Sequence, residues 1–216
     1  MASTDTDVSI CSQALLLLGS TSISSFSDGT APASIAGVLY PKVKAQTLGM
    51  YPWSFSLTKT QLAQSASTPL SYWQYAYALP PDMVNGVPRK VFTSNNTNAP
   101  NLTDYEIQGA ELLSQEQSIF IDYQRDVDEP SMPAYFVQLL IYQMAWHLAE
   151  PVTDQTTKSE YWKTVALGTP LESLRGGYFR QATVIDGSGQ SSQVLADYVL
   201  VAVSYTHLRA HETPIN

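Results

Sequence analysis

The sequence predicts an α+β fold in which a helical bundle carries an inserted β-rich lobe. Apolar residues recur at helical spacing near the N-terminus and again over residues 132–167. Between these regions, short runs rich in Tyr, Phe, Val and Ile alternate with turn residues. We therefore assign residues 1–50 and 131–182 to the bundle and residues 51–130 to the insertion. Residues 183–202 are expected to form an extended C-terminal arm.

Two helices are predicted before the lobe. The first covers residues 4–18, where Thr and Asp residues offer N-cap oxygens and Gly19 supplies a C-terminal stop. The second runs from about Pro32 to Leu48, and Pro41 is expected to kink or interrupt it. Ile23 and Phe26, in the loop between the helices, are expected to anchor that loop to the core.

The insertion reads as six short strands joined by turns. The predicted strands cover residues 53–58, 73–79, 89–93, 104–108, 111–114 and 118–124. Asn85-Gly86 and Gln108-Gly109 are typical of tight turns between strands, and the Asn-rich stretch 94–103 indicates a loop tip.

The helix predicted over residues 132–150 is apolar around most of its circumference. Such a helix is covered on all sides by neighbours or by a partner subunit. Pro151 is expected to end it, and a further helix is expected over residues 154–167 with Tyr161, Trp162 and Val165 facing inward. After that, glycine and proline residues break the pattern, and residues 186–192 read as a Gly/Ser linker.

Aromatic side chains are the candidate packing and interface residues. Trp53 and Phe55 occur where the helical and strand-rich regions meet, so we expect them to lock the two regions together. The full set of packing or interface candidates is Trp53, Phe55, Tyr77, Phe136, Tyr142 and Trp146.

Composition argues against tight binding of nucleic acid. The 216 residues include 19 acidic and 11 basic side chains, which give a net charge of −8. A protein that holds a phosphate backbone needs clustered Lys and Arg. A negative wall would instead let DNA pass along a channel without sticking to it.

The sequence gives no sign of secretion or of membrane insertion. A secretory signal requires basic residues near its N-terminus, but no Lys or Arg precedes Lys42. The apolar run 14–18 is too short to span a bilayer. We expect a protein made in the cytoplasm, with no contact with a membrane. Residues 203–216 resemble a translated sequencing adaptor, so we predict that this tail is not native.

No catalytic, cofactor or metal site is predicted. Cys11 is a lone cysteine in an apolar stretch, and His147 lies on the most buried predicted helix, where a core or interface role is favoured. The acidic cluster Asp122, Asp126, Asp128 and Glu129 is the best argument for an enzyme, because paired carboxylates can hydrolyse a glycosidic bond. The alternative, which we favour, is a solvated strand end.

A succession of short motifs carries a resemblance to a known family. In order, the motifs are Ile10-Cys11-Ser12-Gln13-Ala14-Leu15, Leu18-Gly19, Ile23-Ser24-Ser25-Phe26, Asp28-Gly29, Leu39-Tyr40, Tyr51-Pro52-Trp53-Ser54-Phe55, Tyr75-Ala76-Tyr77-Ala78-Leu79-Pro80-Pro81-Asp82, Tyr105-Glu106-Ile107-Gln108-Gly109, Leu112-Leu113, Ile121-Asp122-Tyr123 and Met132-Pro133-Ala134-Tyr135-Phe136. Over about residues 5–165 this order resembles the tail tubular protein A family of short-tailed phages and similar head-to-tail adaptors. The Pro-Trp-x-Phe and Tyr-x-Leu-Pro-x-Asp elements in this order are the most specific part.

The resemblance implies a structural virion protein rather than an enzyme. It implies a helical bundle with a β-rich insertion, whose copies form a homo-oligomeric ring of twelve between the portal protein and the tail tube or nozzle protein. DNA would leave through the bore without specific binding. The chain departs from the family after Thr153, where Gly168 and Pro170 interrupt a helix that is longer and richer in charge in the family. The alternative from another class is a virion-associated cell-wall hydrolase that uses carboxylates near Asp122–Glu129.

Overall fold

The structure, a computed structural model, describes residues 5–66, 69, 71–96 and 99–189. This part of the chain contains five α-helices: α1 (Asp7–Leu17), α2 (Ala31–Gly49), α3 (Ala134–Thr153), α4 (Thr156–Leu167) and α5 (Gly177–Gly187). Six strands lie between α2 and α3: β1 (Leu57–Gln61), β2 (Tyr75–Ala78), β3 (Lys90–Phe92), β4 (Glu106–Gln108), β5 (Glu111–Ser114) and β6 (Phe120–Gln124). The predicted α+β class is confirmed.

Side-chain caps set the start of the first two helices. The Thr6 hydroxyl accepts a hydrogen bond from the Ser9 amide, and the Ser9 hydroxyl accepts one from the Thr6 amide, which satisfies two otherwise free donors of α1. The Thr30 hydroxyl caps α2 by accepting a hydrogen bond from the Ala33 amide. The expected anchoring of the intervening loop is confirmed, since Ile23 is buried and Phe26 packs against the core.

Two prolines lie inside helices: Pro41 does not interrupt α2, and Pro151 does not end α3 as expected. Helix α2 continues through Pro41, and α3 continues through Pro151 to Thr153. Both proline rings are exposed. On a solvent-facing side of a helix, water can satisfy the carbonyl that loses its hydrogen bond to the proline position. Helix α3 ends instead at Asp154, whose φ of 54° is left-handed.

Helix α3 is the centre of the bundle and contacts α1, α2, α4 and α5. Its buried side chains come from every side of the helix, so it is covered by neighbours within the chain. They are Phe136, Val137, Leu139, Leu140, Ile141, Gln143, Met144, Ala145, Leu148 and Ala149.

Helix α5 was not foreseen as a helix. Residues 183–187, predicted to begin an extended arm, form its last turns, and Asp186 and Gly187 belong to it rather than to a linker. A Cβ on Gly177, whose φ is 53°, would lie 2.6–2.9 Å from backbone atoms at the end of α4. Glycine at this position therefore lets the two helices approach closely. The rest of the predicted arm and the predicted non-native tail lie outside the described residues.

The inward orientation predicted for α4 is wrong at Tyr161, which is 60% exposed. Trp162, the next residue, packs against the bundle core instead and stacks on Tyr142 of α3 with 5.7 Å between ring centroids. A one-residue step on a helix turns a side chain by about 100°, and α4 contacts the bundle on one side only, so Tyr161 and Trp162 point in different directions.

The lobe consists of two three-stranded antiparallel sheets, ordered β1-β6-β3 and β2-β5-β4. Backbone hydrogen bonds connect the sheets at both sides. The segment after β1 bonds to β2 through Ser65 N to Ala76 O (2.8 Å) and Ala78 N to Ala63 O (3.2 Å), and Leu102 N bonds to Val91 O of β3 (2.7 Å). The two sheets enclose a small core of Leu62, Tyr77, Val91, Leu112, Ile119, Ile121 and Tyr123.

The local predictions for the lobe were largely right about strands and mixed about turns. The prediction that a strand begins at residue 53 is wrong, since Ser54–Ser56 form a 3-10 helix before β1. The β4–β5 hairpin turns at Gly109, whose φ of 62° favours glycine. Asn85-Gly86 does not join paired strands, because β2 and β3 belong to different sheets. The Asn85 side chain packs instead over Gly49, at the end of α2.

Candidate functional site

The acidic stretch proposed for an enzyme is divided between two faces of the molecule. Asp122 lies in the middle of β6, whereas Asp126 and Glu129 follow the strand and meet at Lys44 of α2. The Lys44 amine lies 3.2 Å from the Asp126 carboxylate and 3.1 Å from that of Glu129. These ion pairs attach the segment after the lobe to the bundle.

Glu129 is held in its ionised form. Burial raises the pKa of the Glu129 carboxyl, but hydrogen bonds from its own amide, from Tyr40 and from Lys44, together with the charge of Lys44, outweigh burial and lower it. The Tyr40 hydroxyl donates to Glu129 Oε1 at 2.8 Å, and burial followed by this carboxylate raises the pKa of Tyr40. A general acid needs a carboxyl with a raised pKa, so Glu129 does not suit that role.

Asp122 is surrounded by cations rather than by a second carboxylate. Its strand partners are Lys59 of β1 and Lys90 of β3, and the Lys59 amine lies 3.9 Å from its carboxylate. The structure therefore does not pair Asp122 with Asp126 or Glu129 across a cleft.

Asp186 forms a buried clasp that the sequence did not reveal. Asp186 is 5% exposed. Its carboxylate accepts hydrogen bonds from the Ser54 amide (3.0 and 3.2 Å), the Ser54 hydroxyl (2.7 Å) and the Tyr135 hydroxyl (2.5 Å). Burial, and then the hydrogen bond to Asp186 and its charge, raise the pKa of Tyr135. This side chain joins α5, the start of α3 and the entrance to the lobe.

Gln124 is a second polar anchor that the sequence did not reveal. Its amide donates to the carbonyl oxygens of Leu48 (2.7 Å) and Tyr51 (2.9 Å), which fixes the end of β6 to the end of α2. Gln124 is 5% exposed, so these bonds are shielded from water. The sequence does not indicate this role, because a glutamine at the end of a strand can equally well be exposed to solvent.

The six aromatic candidates fall into three places. Trp53, Phe55 and Phe136 form one ring cluster in the bundle core with Tyr51, Tyr135 and Phe179. Trp53 is fully buried, and its indole N–H donates to Thr47 O at 3.1 Å. Both Trp53 and Phe55 pack in the bundle core and neither belongs to the lobe core.

The other three candidates lie apart from that cluster. Tyr77 is in the lobe core, and its hydroxyl donates to Glu116 O. Tyr142 and Trp146 are half-buried on α3, where Tyr142 packs against Trp162 and Tyr178. Lys163 lies over the Trp146 ring at 5.3 Å.

His147 and Cys11 both lie in helices of the bundle. Burial lowers the pKa of His147, and its Nε2 atom has no hydrogen-bond partner in the described part of the chain. Burial, followed by the charge of Asp7, raises the pKa of the Cys11 thiol to about 12, so the thiolate is scarce at neutral pH.

The described ranges contain neither a cluster of metal ligands nor a membrane-spanning helix. Among these residues, no group of three or more His, Cys, Asp or Glu side chains is arranged to hold a metal ion. Within the same ranges, every helix is too short or too polar to cross a bilayer. No protein-family model matches the chain, and no curated protein is significantly similar to it.

Proposed function

We propose that this chain is a structural virion protein of a phage, a head-to-tail connector that acts by assembling into a ring. Twelve copies would lie between the portal protein and the tail tube or nozzle protein, and DNA would pass through the bore without specific binding. The proposed location is the virion, after synthesis in the host cytoplasm. No catalytic step is assigned to the chain.

The observation that carries the proposal is the place of the Pro-Trp-x-Phe element. Pro52, Trp53 and Phe55 lie where the chain leaves α2 for the lobe, and the two aromatic rings fill the bundle core. The motif order that resembles the connector family thus coincides with an architecture in which helices on both sides of an insertion close into one bundle. This agreement supports the family's ring as the working model.

Exposed apolar side chains on the bundle also support an assembly. Large apolar residues are exposed on four of its helices and on a connecting turn, among them Leu16, Val38, Tyr161, Leu171 and Val184. Leu171 is 97% exposed. Scattered exposed apolar residues are common on monomers. These residues therefore support an assembly only together with the resemblance to the connector family.

The hydrolase alternative receives less support from the geometry. A retaining glycosidase uses two facing carboxyl groups, of which one is protonated at neutral pH. Here Lys44 keeps Glu129 ionised, and Asp122 lies between two lysines on another surface. These contacts favour a structural role for the acidic residues.

The test is the mass of the assembled species. Light scattering of the purified full chain and of a chain ending at Ala202, each alone and mixed with the portal protein, should show a ring-sized particle in at least one condition. Negative-stain electron microscopy should then show rings with a central hole. A monomer in every condition would contradict the proposal. Cell-wall hydrolysis lost in an Asp126→Asn/Asp128→Asn variant would support the enzyme instead.

A further inference from the structure

The two outer faces of the lobe carry opposite charge. In a strand, successive side chains point to opposite faces of the sheet. Val91 and Ile121 point into the lobe core, so their neighbours Lys90 and Asp122, with Lys59 in register, point outward from the sheet β1-β6-β3. We call Lys59, Lys90 and Asp122 together the cationic face, since they carry two positive charges and one negative charge.

The second sheet presents carboxylates on the opposite side. Tyr77 and Leu112 point into the core, so Glu106 and Glu111 point outward from the sheet β2-β5-β4. Between residues 104 and 118 the chain has four acidic residues and no basic one. We call Glu106 and Glu111, with the aromatic pair beside them, the acidic face.

The aromatic pair is Tyr72 and Trp73, which precede β2. The Trp73 indole donates to Glu106 Oε2 at 2.8 Å, which places the pair against the acidic residues. Tyr72 packs on Trp73 with 5.2 Å between ring centroids, yet it is 77% exposed. An exposed Tyr supported by a Trp is the type of residue that dominates protein–protein binding energy.

The cationic face has a groove where such a ring can bind. A groove of about 670 Å³ is lined by Lys59, Lys90, Phe92, Asn95, Pro100 and Asn101. The Lys59 amine lies over the Phe92 ring at 4.3 Å, and Lys90 has no ion-pair partner among the described residues. Cavities of roughly 300–1,000 Å³ hold drug-sized ligands, so one aromatic side chain fits with room for water.

We propose that the lobes of neighbouring copies contact each other head to tail, with the cationic face of one copy against the acidic face of the next. Tyr72 occupies the groove, and Glu106 and Glu111 face Lys59 and Lys90. Because two different faces meet, the contact is heterologous, and it generates a ring when the rotation closes. The inference rests on the proposed ring and names the surface that builds it.

The test reverses the charge of each face separately. Lys59→Glu/Lys90→Glu makes both faces acidic, and Glu106→Lys/Glu111→Lys makes both basic, so each variant alone should associate at least tenfold more weakly. An equimolar mixture should recover the wild-type mass, since each reversed face then meets an opposite charge. Mass is measured by light scattering in whichever condition, alone or with portal, the wild type associates.

Matched controls separate the face from net charge and from misfolding. Lys42→Glu/Arg180→Glu changes the net charge by the same amount at exposed bundle residues and should leave the mass unchanged. Circular dichroism verifies folding, and the neutral variant Lys59→Gln/Lys90→Gln, which should weaken association less, serves if the reversed variant does not fold.

Two failures are distinguishable. If the wild type forms rings and the folded reversed variants form them equally well, or if their mixture stays dissociated, the lobe contact is wrong and the ring remains. The contact is also wrong if the wild type retains DNA, Lys59→Glu/Lys90→Glu alone loses this binding, and the ring mass is unchanged. That result would indicate a nucleic-acid site on the cationic face. If the wild type never associates, both proposals fall.

Discussion

The bundle and the lobe are stabilised in different ways. The bundle has an extensive core, to which all five helices contribute buried side chains, with an aromatic cluster around Trp53. The lobe has a small core of seven buried residues. Polar contacts of Gln124, Lys44 and Asp186 connect the two regions. The bundle thus supplies most of the apolar burial, whereas the lobe presents chemically distinct surfaces and is positioned by a few hydrogen bonds.

The largest expected effect is in the bundle. Trp53→Ala should lower the free energy of unfolding by about 3–5 kcal/mol, because it leaves a cavity in a fully buried aromatic cluster and frees the Thr47 carbonyl. Urea denaturation followed by far-UV circular dichroism measures the loss. Trp73→Ala, at the half-buried edge of the lobe, is the matched control and should cost clearly less. Equal losses would show that the two regions do not differ as described.

A cavity in the lobe should act locally. Ile121→Ala removes a fully buried side chain from the small core and should cost about 2–5 kcal/mol. If the lobe depends on its own core, hydrogen exchange should accelerate in β3, β5 and β6 before it does in α3. Ile121→Val, which keeps most of the volume, should cost about 0.5–1.5 kcal/mol. Uniform acceleration in both regions would mean that bundle and lobe unfold as one unit.

The junction should be sensitive to Gln124. Gln124→Ala leaves two buried carbonyl oxygens, those of Leu48 and Tyr51, without their partner, and such a group costs roughly 1–3 kcal/mol. We expect a lower denaturation midpoint and faster proteolysis between α2 and β1. Gln117→Ala, at an exposed residue of the lobe, should change neither measurement. An unchanged Gln124→Ala variant would remove this residue from the junction.

The smallest expected effect depends on pH. The folded-state pKa of Glu129 lies below its usual value of 4.5, so its stabilisation is fully present above that value and is lost as pH falls through the folded-state pKa. Glu129→Gln should therefore be less stable than wild type at pH 7, and the difference should shrink at more acidic pH. Thermal melting across this range measures it, with Asp128→Asn as control. A difference that does not change with pH would show that charge is not its cause.

The predictable part of this fold is the part governed by periodicity. Helical spacing located α1 to α4, and runs rich in β-branched and aromatic residues located β2 to β6, because both signals come from side chains that contact the core of their own region. The run 53–58 overlaps β1 at two residues only. That α2 continues through Pro41 and α3 through Pro151 could not be predicted, because the sequence does not say which side of a helix faces water. Helix α5 could not be predicted in the same way, because it packs on α4 through a close approach at Gly177 that leaves no periodic pattern in the sequence.

The polar anchors were beyond sequence reasoning for a related reason. Asp186 and Ser54 are 132 positions apart, and nothing in either neighbourhood indicates the other. The opposed charges of the lobe became visible only when strand register showed which side chains share a face. The aromatic candidates were easier to find, because large rings pack wherever a core is present.

The clasp at Asp186 has a consequence for the order of folding. It joins a residue near the first quarter of the chain to one beyond residue 180, so its loop closes late and at an entropic cost that grows with loop length. During synthesis, Ser54 and Tyr135 must wait for α5 to leave the ribosome before their partner exists. The growing chain therefore lacks the bonds that tie Ser54 and Tyr135 to α5 until Asp186 is available.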